Sequence, residues 1–243
     1  MKNHYVKTSN HQTFMSAVKK VETGAAKNAQ IIIATGEPGT GKTCCMENFG
    51  ADRNAIYIEG MPSMSMTYVR DLLAYELGVN GLKSFAQQQA MSEAMRIRGR
   101  AIIFDEAQHS LDKKAAVLEY LRRITEKEGA LLVLVCHTSE RHRFAEHNLA
   151  HIATRISAQA EFKPASIEDA ALYLRELCEV AVDDAVIAQA FNESRGRYRL
   201  LYSAGRTLEL VAQHDQKIRL TAADIKGMVL CEDAMRSLRK GAK

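Results

Sequence analysis

The sequence predicts an α/β fold: a mostly parallel five-stranded sheet sandwiched by helices, followed by a small all-helical domain. Three observations carry this. Five short apolar runs rich in β-branched residues recur before residue 163, segments of helical length separate them, and strand signals stop after Lys163-Pro164 while helical spacing continues. Alternating β and α elements are the signature of parallel strands, because each crossover must carry the chain back along the sheet before the next strand can start.

The first run, residues 29–35, is Ala-Gln-Ile-Ile-Ile-Ala-Thr and stops at Gly36, as a buried strand does. Further strands are expected at 55–59, 101–104, 130–136 and 158–162. Crossover helices are expected at 42–49, 67–77, 82–97, 113–127 and 140–147. Beyond Pro164, Ser166 opens an S-x-x-D capping pattern with Asp169, and Ile167, Ala170, Ala171, Leu174, Leu177 and Cys178 then recur at helical spacing. Amphipathic stretches follow at 184–192, 198–214 and 221–238, the last beginning with another capping pattern, Thr221 to Asp224. Two domains are therefore expected, residues 1–163 and residues 164–243.

Composition limits the function classes. With 243 residues, 47% hydrophobic and 26% charged, and with three prolines, the chain can bury a sizeable core and does not resemble a disordered segment. Its five cysteines form no C-x-x-C pair and are odd in number, which argues against a disulfide framework or zinc site and for a reducing cytoplasm. No stretch approaches the apolar length that spans a bilayer, and no apolar signal core stands at the N-terminus, so no membrane partner is expected. The net charge of +4 equals the contribution of Arg236, Arg239, Lys240 and Lys243 in the last nine residues, which hold no acid. Such a tail can hold nucleic-acid phosphates or serve solubility alone.

Residues 36–43, Gly-Glu-Pro-Gly-Thr-Gly-Lys-Thr, match G-x-x-x-x-G-K-[ST] between a predicted strand and a predicted helix. Gly36, Gly39 and Gly41 let backbone N–H groups turn inward around phosphate oxygens, with Glu37, Pro38 and Thr40 filling the loop and Cys44 following it into a helix whose N-terminus favours anions. Lys42 is expected to reach the β- and γ-phosphates of ATP, and the Thr43 hydroxyl to ligate Mg2+. A glycine-rich turn without function would leave the lysine unexplained. Ile102-Ile103-Phe104-Asp105-Glu106 supplies the matching carboxylates: Asp105 for the magnesium shell, at the C-terminal end of a buried strand, and Glu106 to polarise the attacking water. Taken alone, an acidic pair after an apolar run is as often a helix-capping turn.

A further strand ends in Cys136-His137-Thr138, so His137 or Thr138 would point at the γ-phosphate if that strand lies between the two motif strands. The alternative for His137 is a polar residue completing a strand-to-helix turn. His142, His147 and His151 invite a metal reading, yet no acidic or cysteine partner shares their spacing. Arg155 and Arg199 would be ordinary solvated arginines, except that phosphoryl transfer needs cations to offset developing charge.

With these residues in place the sequence resembles the AAA+ ATPases, over about residues 10–235. The resemblance implies the P-loop NTPase form of the α/β fold with a helical lid, ATP and Mg2+ as ligands, and hydrolysis to ADP and phosphate. It implies that residues 36–43 are the Walker A motif, Asp105 and Glu106 the Walker B pair, and His137 (or Thr138) the sensor 1 position, where the family usually has Asn, Ser or Thr. It also implies that Arg155 is an arginine finger acting on a neighbour's nucleotide, hence a homo-oligomer, and that Gly196 with Arg199 is sensor 2.

Within that superfamily, Asp105-Glu106-Ala107-Gln108-His109 and the short lid are most similar to the DNA transposition B proteins of Mu-like phages and the related transposon target-selection ATPases. These assemble as filaments on duplex DNA, without strong sequence preference, and present it to a transposase. The Mu protein carries an N-terminal helix-turn-helix region with no counterpart in residues 1–35, so DNA contact is expected from the ATPase portion or the basic tail. The resemblance points to Lys113, Lys114 and Arg70, beside loops that face the central channel of such assemblies; an exposed helix start explains the two lysines equally well. Alternative readings are a helicase loader or initiator-like ATPase and a scaffold that holds nucleotide only as a switch. A DEAD-type helicase would need a second motor domain.

Overall fold

A computed structural model describes residues 1–24, 30–111, 115–146 and 149–232. The chain falls into two compact units, one of residues 13–36 and 42–161 and one of residues 1–12, 37–41 and 162–243.

The first unit holds a five-stranded sheet of β1 (Ile31–Gly36), β2 (Ile56–Glu59), β3 (Ile102–Asp105), β4 (Leu132–His137) and β5 (Ile156–Phe162), in the order β2-β3-β4-β1-β5. The pairs β1–β4, β3–β4 and β2–β3 are parallel, with Ile32 opposite Val133, Ile103 opposite Val133 and Ile58 opposite Phe104. Every residue of β1 and β3 is buried, which is why these strands read as unbroken apolar runs rather than as alternation. On one face Ile31, Ile33, Ile102 and Phe104 join Val69 and Leu73 of α3 (Met66–Glu76), Met91 and Met95 of α4 (Ser84–Arg98), and Leu118 and Leu121 of α5 (Ala116–Glu128) in one core. The other face takes α2 (Lys42–Arg53), whose Gly50 lies so close to the sheet that an added Cβ would sit 3.2 Å from Ile103 Cδ1. The helix α1 (Ser9–Thr23) brings Phe14 edge-on to Phe49 of α2 at 5.1 Å.

In the second unit α7 (Ile167–Leu177), α8 (Asp184–Ser194) and α9 (Tyr198–His214) surround a core of Leu174, Val186, Ile187, Leu201, Ala204 and Leu208. The Ser166 cap forms as the sequence predicts, its hydroxyl accepting from Asp169 N at 3.1 Å. Asp169 in turn accepts from Ser9 N at 2.9 Å, which ties residues 1–12 to this unit. Among the described residues, no helix is long and apolar enough to cross a membrane.

Three expectations are corrected. Strand signals do not vanish after residue 163, because β6 (Ala181–Val182) and β7 (Arg219–Leu220) pair in parallel, so the unit is not wholly helical. The stretch from 221 does not form a helix through residue 232: Asp224 does cap Thr221, but turns follow and Gly227 adopts φ +78°, which ends helical propagation. Leu230 N and Cys231 N then bond to Glu193, folding this segment against α8. The remainder of that stretch, with the basic tail, lies outside the described residues. Finally, 140–147 is not an α-helix. A 3₁₀ run covers Thr138–Ala145, followed by the short α6 (Ala150–Ala153), because of its described side chains only Phe144 is buried and no apolar stripe exists to hold a longer helix down.

Gly196, between α8 and α9, has φ +71°, and a Cβ there would lie 2.4 Å from the Ala165 carbonyl oxygen. Gly196→Ala is therefore expected to destabilise the fold by about 2 kcal/mol or more, read as a lower urea midpoint with an unchanged slope.

Candidate functional site

In the sheet unit the chemistry gathers at the C-terminal ends of the strands. Gly36, Asp105 and His137 are each the last residue of a strand: Gly36 pairs with His137, and Glu59 with Asp105. From the first turn of α2, Lys42 Nζ donates to the Gly36 carbonyl at 2.6 Å. An ammonium carries three donors, so the same group can hold the loop and reach a phosphate. Thr43 Oγ1 donates to Asp105 Oδ2 at 3.0 Å, and Tyr57 of β2 donates its phenol to the same oxygen at 2.6 Å. The Glu106 N–H donates to Asp105 Oδ1 at 2.8 Å. Asp105 is only 4% exposed, and a carboxylate so far from water needs these donors. A hydroxyl and a carboxylate held together are hard oxygen donors that fit magnesium, whose other positions go to water and phosphate oxygens.

Glu106 is exposed and left-handed, at φ 49° and ψ 38°. This conformation costs a non-glycine residue about 1–3 kcal/mol. The turn has room because residue 60 is glycine: a Cβ there would lie 2.5 Å from the Glu106 carbonyl oxygen, and Gly60 N bonds to Asp105 O at 2.8 Å. Gln108 donates its amide to the Glu106 carboxylate, while its own buried carbonyl oxygen has no partner among the described residues.

His137 is half-buried at the end of β4, where its Nδ1 accepts from Ser139 N at 3.2 Å and so caps the 3₁₀ run. A backbone N–H can only donate, so Nδ1 is the acceptor in this contact, and the Ser139 hydroxyl lies 2.6 Å from the same nitrogen. The turn-completing role and the phosphate-facing role are thus compatible in one side chain. Beside it Cys136 is buried, and burial pushes its thiol up to about 12, against the pull of the Lys42 charge.

In the other unit, residues 37–41 are held from behind. Thr40 Oγ1 donates to Glu37 O at 2.7 Å, and Gly39 and Gly41 take φ +83° and +82°. The Tyr198 N–H, at the start of α9, donates to Gly39 O at 2.8 Å, and its ring lies 3.6 Å from where a Gly41 Cβ would be. An added Cβ on Gly39 would meet Arg197 Cβ at 3.4 Å. Asn10, 6% exposed, donates to Thr40 O at 3.1 Å and Lys163 O at 2.7 Å, and accepts from Lys163 N at 3.0 Å.

Other candidates fall elsewhere. Arg155 precedes β5 and lines a small cavity with Gln30 and Ile31 at the opposite end of β1 from Gly36, where it pairs with Glu126 at 3.2 Å. It is not brought to this chain's own Lys42 and Asp105. Cys44 is exposed on α2, its thiol raised by partial burial and by Glu47. Arg70 pairs with Asp71 at 3.3 Å. Arg199 is exposed on the first turn of α9 and has no partner among the described residues. Lys113, Lys114 and His147 lie outside the described residues. Among the described residues, no group of three or more His, Cys, Asp or Glu side chains could hold a metal ion. Sequence reasoning missed Tyr57, Gly60, Asn10 and Tyr198. Only Gly60, a glycine directly after a strand, carried a signal.

Comparison with known proteins places this geometry. A family described as AAA domain matches residues 25–144, and no curated protein matches the chain by sequence. The fold is similar to that of the ORC2 protein of Aeropyrum pernix in its ADP form, at TM-score 0.66 and 13% identity over 93% of this chain and 68% of that one. It is similar to the ORC1 protein of the same organism in complex with DNA, at TM-score 0.58 and 16% identity over 92% and 64%. The RuvB Holliday junction branch migration motor of Thermotoga maritima matches at TM-score 0.61 and 16% identity over 89% and 67%. Residues 25–144 are thus similar to an AAA domain, and the α/β fold is that of the solved ORC and RuvB structures.

The Cys136 thiol yields a pH dependence. Burial pushes it up to about 12 in the folded chain, whereas an unburied thiol ordinarily loses its proton near 9.0. The unfolded chain therefore loses this proton first, so the contribution is complete below pH about 9 and is lost as pH rises towards 12. Denaturation midpoints measured across that window should fall, and Cys136→Val should flatten the fall.

Proposed function

We propose that this protein is a magnesium-dependent ATPase that assembles as a homo-oligomer on duplex DNA, delivers that DNA to a transposase and stimulates it. The observation that carries the hydrolytic reading is the Thr43–Asp105 hydrogen bond beside an exposed Glu106. Thr43 and Asp105 would hold magnesium, which when bound supplies positive charge to the phosphates. Lys42 and the backbone amides of 36–43 bind and orient the phosphate chain, and Glu106 takes up the proton of the attacking water. His137, at the end of β4, stands at the sensor 1 position where the family uses Asn, Ser or Thr, and Thr138 is the alternative. Arg199 offers a cation from α9.

Arg155, remote from the site of its own chain, fits a group given to a neighbour's nucleotide. This supports an oligomer whose sites are completed between copies. Support for DNA comes from the likeness to an ORC1 protein solved with DNA. Five cysteines without a disulfide among them fit the cytoplasm of a bacterium or a phage-infected host. The likeness to ORC proteins also favours a second reading, a helicase-loader or initiator-like ATPase acting on a replicative helicase.

Glu106→Gln is expected to lower turnover by about a hundredfold or more while preserving an ATP-bound assembly on DNA. Lys42→Ala should abolish nucleotide binding. Electron microscopy with duplex DNA should reveal assemblies with ATP and none with ADP; a chain that stays monomeric with ATP and DNA would overturn the proposal. Stimulation of strand transfer supports the transposition reading, and capture of a hexameric helicase without such stimulation supports the loader reading.

Arg155→Ala tests the shared site. It should leave nucleotide affinity within about twofold and cut turnover of the DNA-bound assembly by about a thousandfold, as loss of an arginine finger does, measured by phosphate release.

A further inference from the structure

A carboxylate has about four lone-pair positions. Three are taken on Asp105: one on Oδ1 by Glu106 N, and two on Oδ2 by the hydroxyls of Thr43 and Tyr57. The Glu106 amide is backbone, and Thr43 belongs to the phosphate loop. Tyr57 is neither. It stands on β2 opposite Ile103, two residues before Asp105 on β3, so that side-chain alternation sets both on the same face of the sheet and the phenol crosses diagonally.

We infer that Tyr57 is a positioning residue for the magnesium site, fixing the Asp105 carboxylate so that a single acceptor position on Oδ1 remains for a water of the hydrated cation. The inference rests on the proposed ATPase reading. Donors from three directions prevent rotation of the carboxylate about its last bond. A phenol has one proton, and here it is committed to Asp105 at 2.6 Å. Without it Oδ2 keeps only Thr43, the carboxylate can turn, and the water-mediated hold on the cation loosens. Partners at this remove from a metal typically change its affinity by about 10–100-fold.

Tyr57→Phe deletes one oxygen atom. Binding of a fluorescent, slowly hydrolysed ATP analogue to the full chain is titrated with magnesium and repeated in chelator. The expected result is a magnesium midpoint raised about tenfold or more, with analogue affinity in chelator within about twofold of the unaltered chain. An unchanged midpoint overturns the inference. Loss of binding in chelator as well makes Tyr57 a support of the strand and overturns it too. An unaltered chain whose analogue binding ignores magnesium would instead remove the ATPase reading, so the two failures are distinct.

Discussion

Asp105 is a carboxylate buried at the end of a central strand, and most of the sheet unit's site can be understood as what it takes to keep it there. A charge removed from water must be met by donors, and each donor here arrives on a different piece of chain: Thr43 on α2, Tyr57 on β2, and the amide of Glu106 in the following turn. Satisfying the buried charge therefore fixes the relative positions of two strands and a helix. The same bonds set Thr43 and Glu106 on either side of the carboxylate, so electrostatic necessity and functional geometry coincide.

The surrounding architecture spends backbone conformation to keep that arrangement. Glu106 sits in a left-handed turn that only a glycine at position 60 can accommodate. Strain of this kind persists where packing determines it, and here fully buried strands on both sides of β4 provide the packing.

Much of this was legible in the sequence, for reasons that also explain what was not. Strands buried on both faces appear as Ile31-Ile32-Ile33 and Ile102-Ile103-Phe104, and the loop and acidic pair follow them directly, so fold and chemistry were written in adjacent residues. Tyr57 lies 48 positions from the carboxylate it serves, and a tyrosine in a strand reads as ordinary core. Asn10 and Tyr198 act on the loop from still less obvious places, since neither forms a local pattern with it. The stretch from 221 misled in the opposite way: its apolar spacing and cap were genuine, but Gly227 and the bonds to Glu193 direct it into turns.

The clamp by Asn10 has a consequence for the loop it holds. A trans peptide is planar, with its carbonyl and N–H pointing in opposite directions. By drawing the Thr40 carbonyl to itself, Asn10 turns the N–H of Gly41, the other end of the same peptide unit, the opposite way. One buried amide outside residues 36–43 thus acts as a rudder for the loop, deciding which of its edges presents hydrogen-bond donors outward and which is spent on the protein.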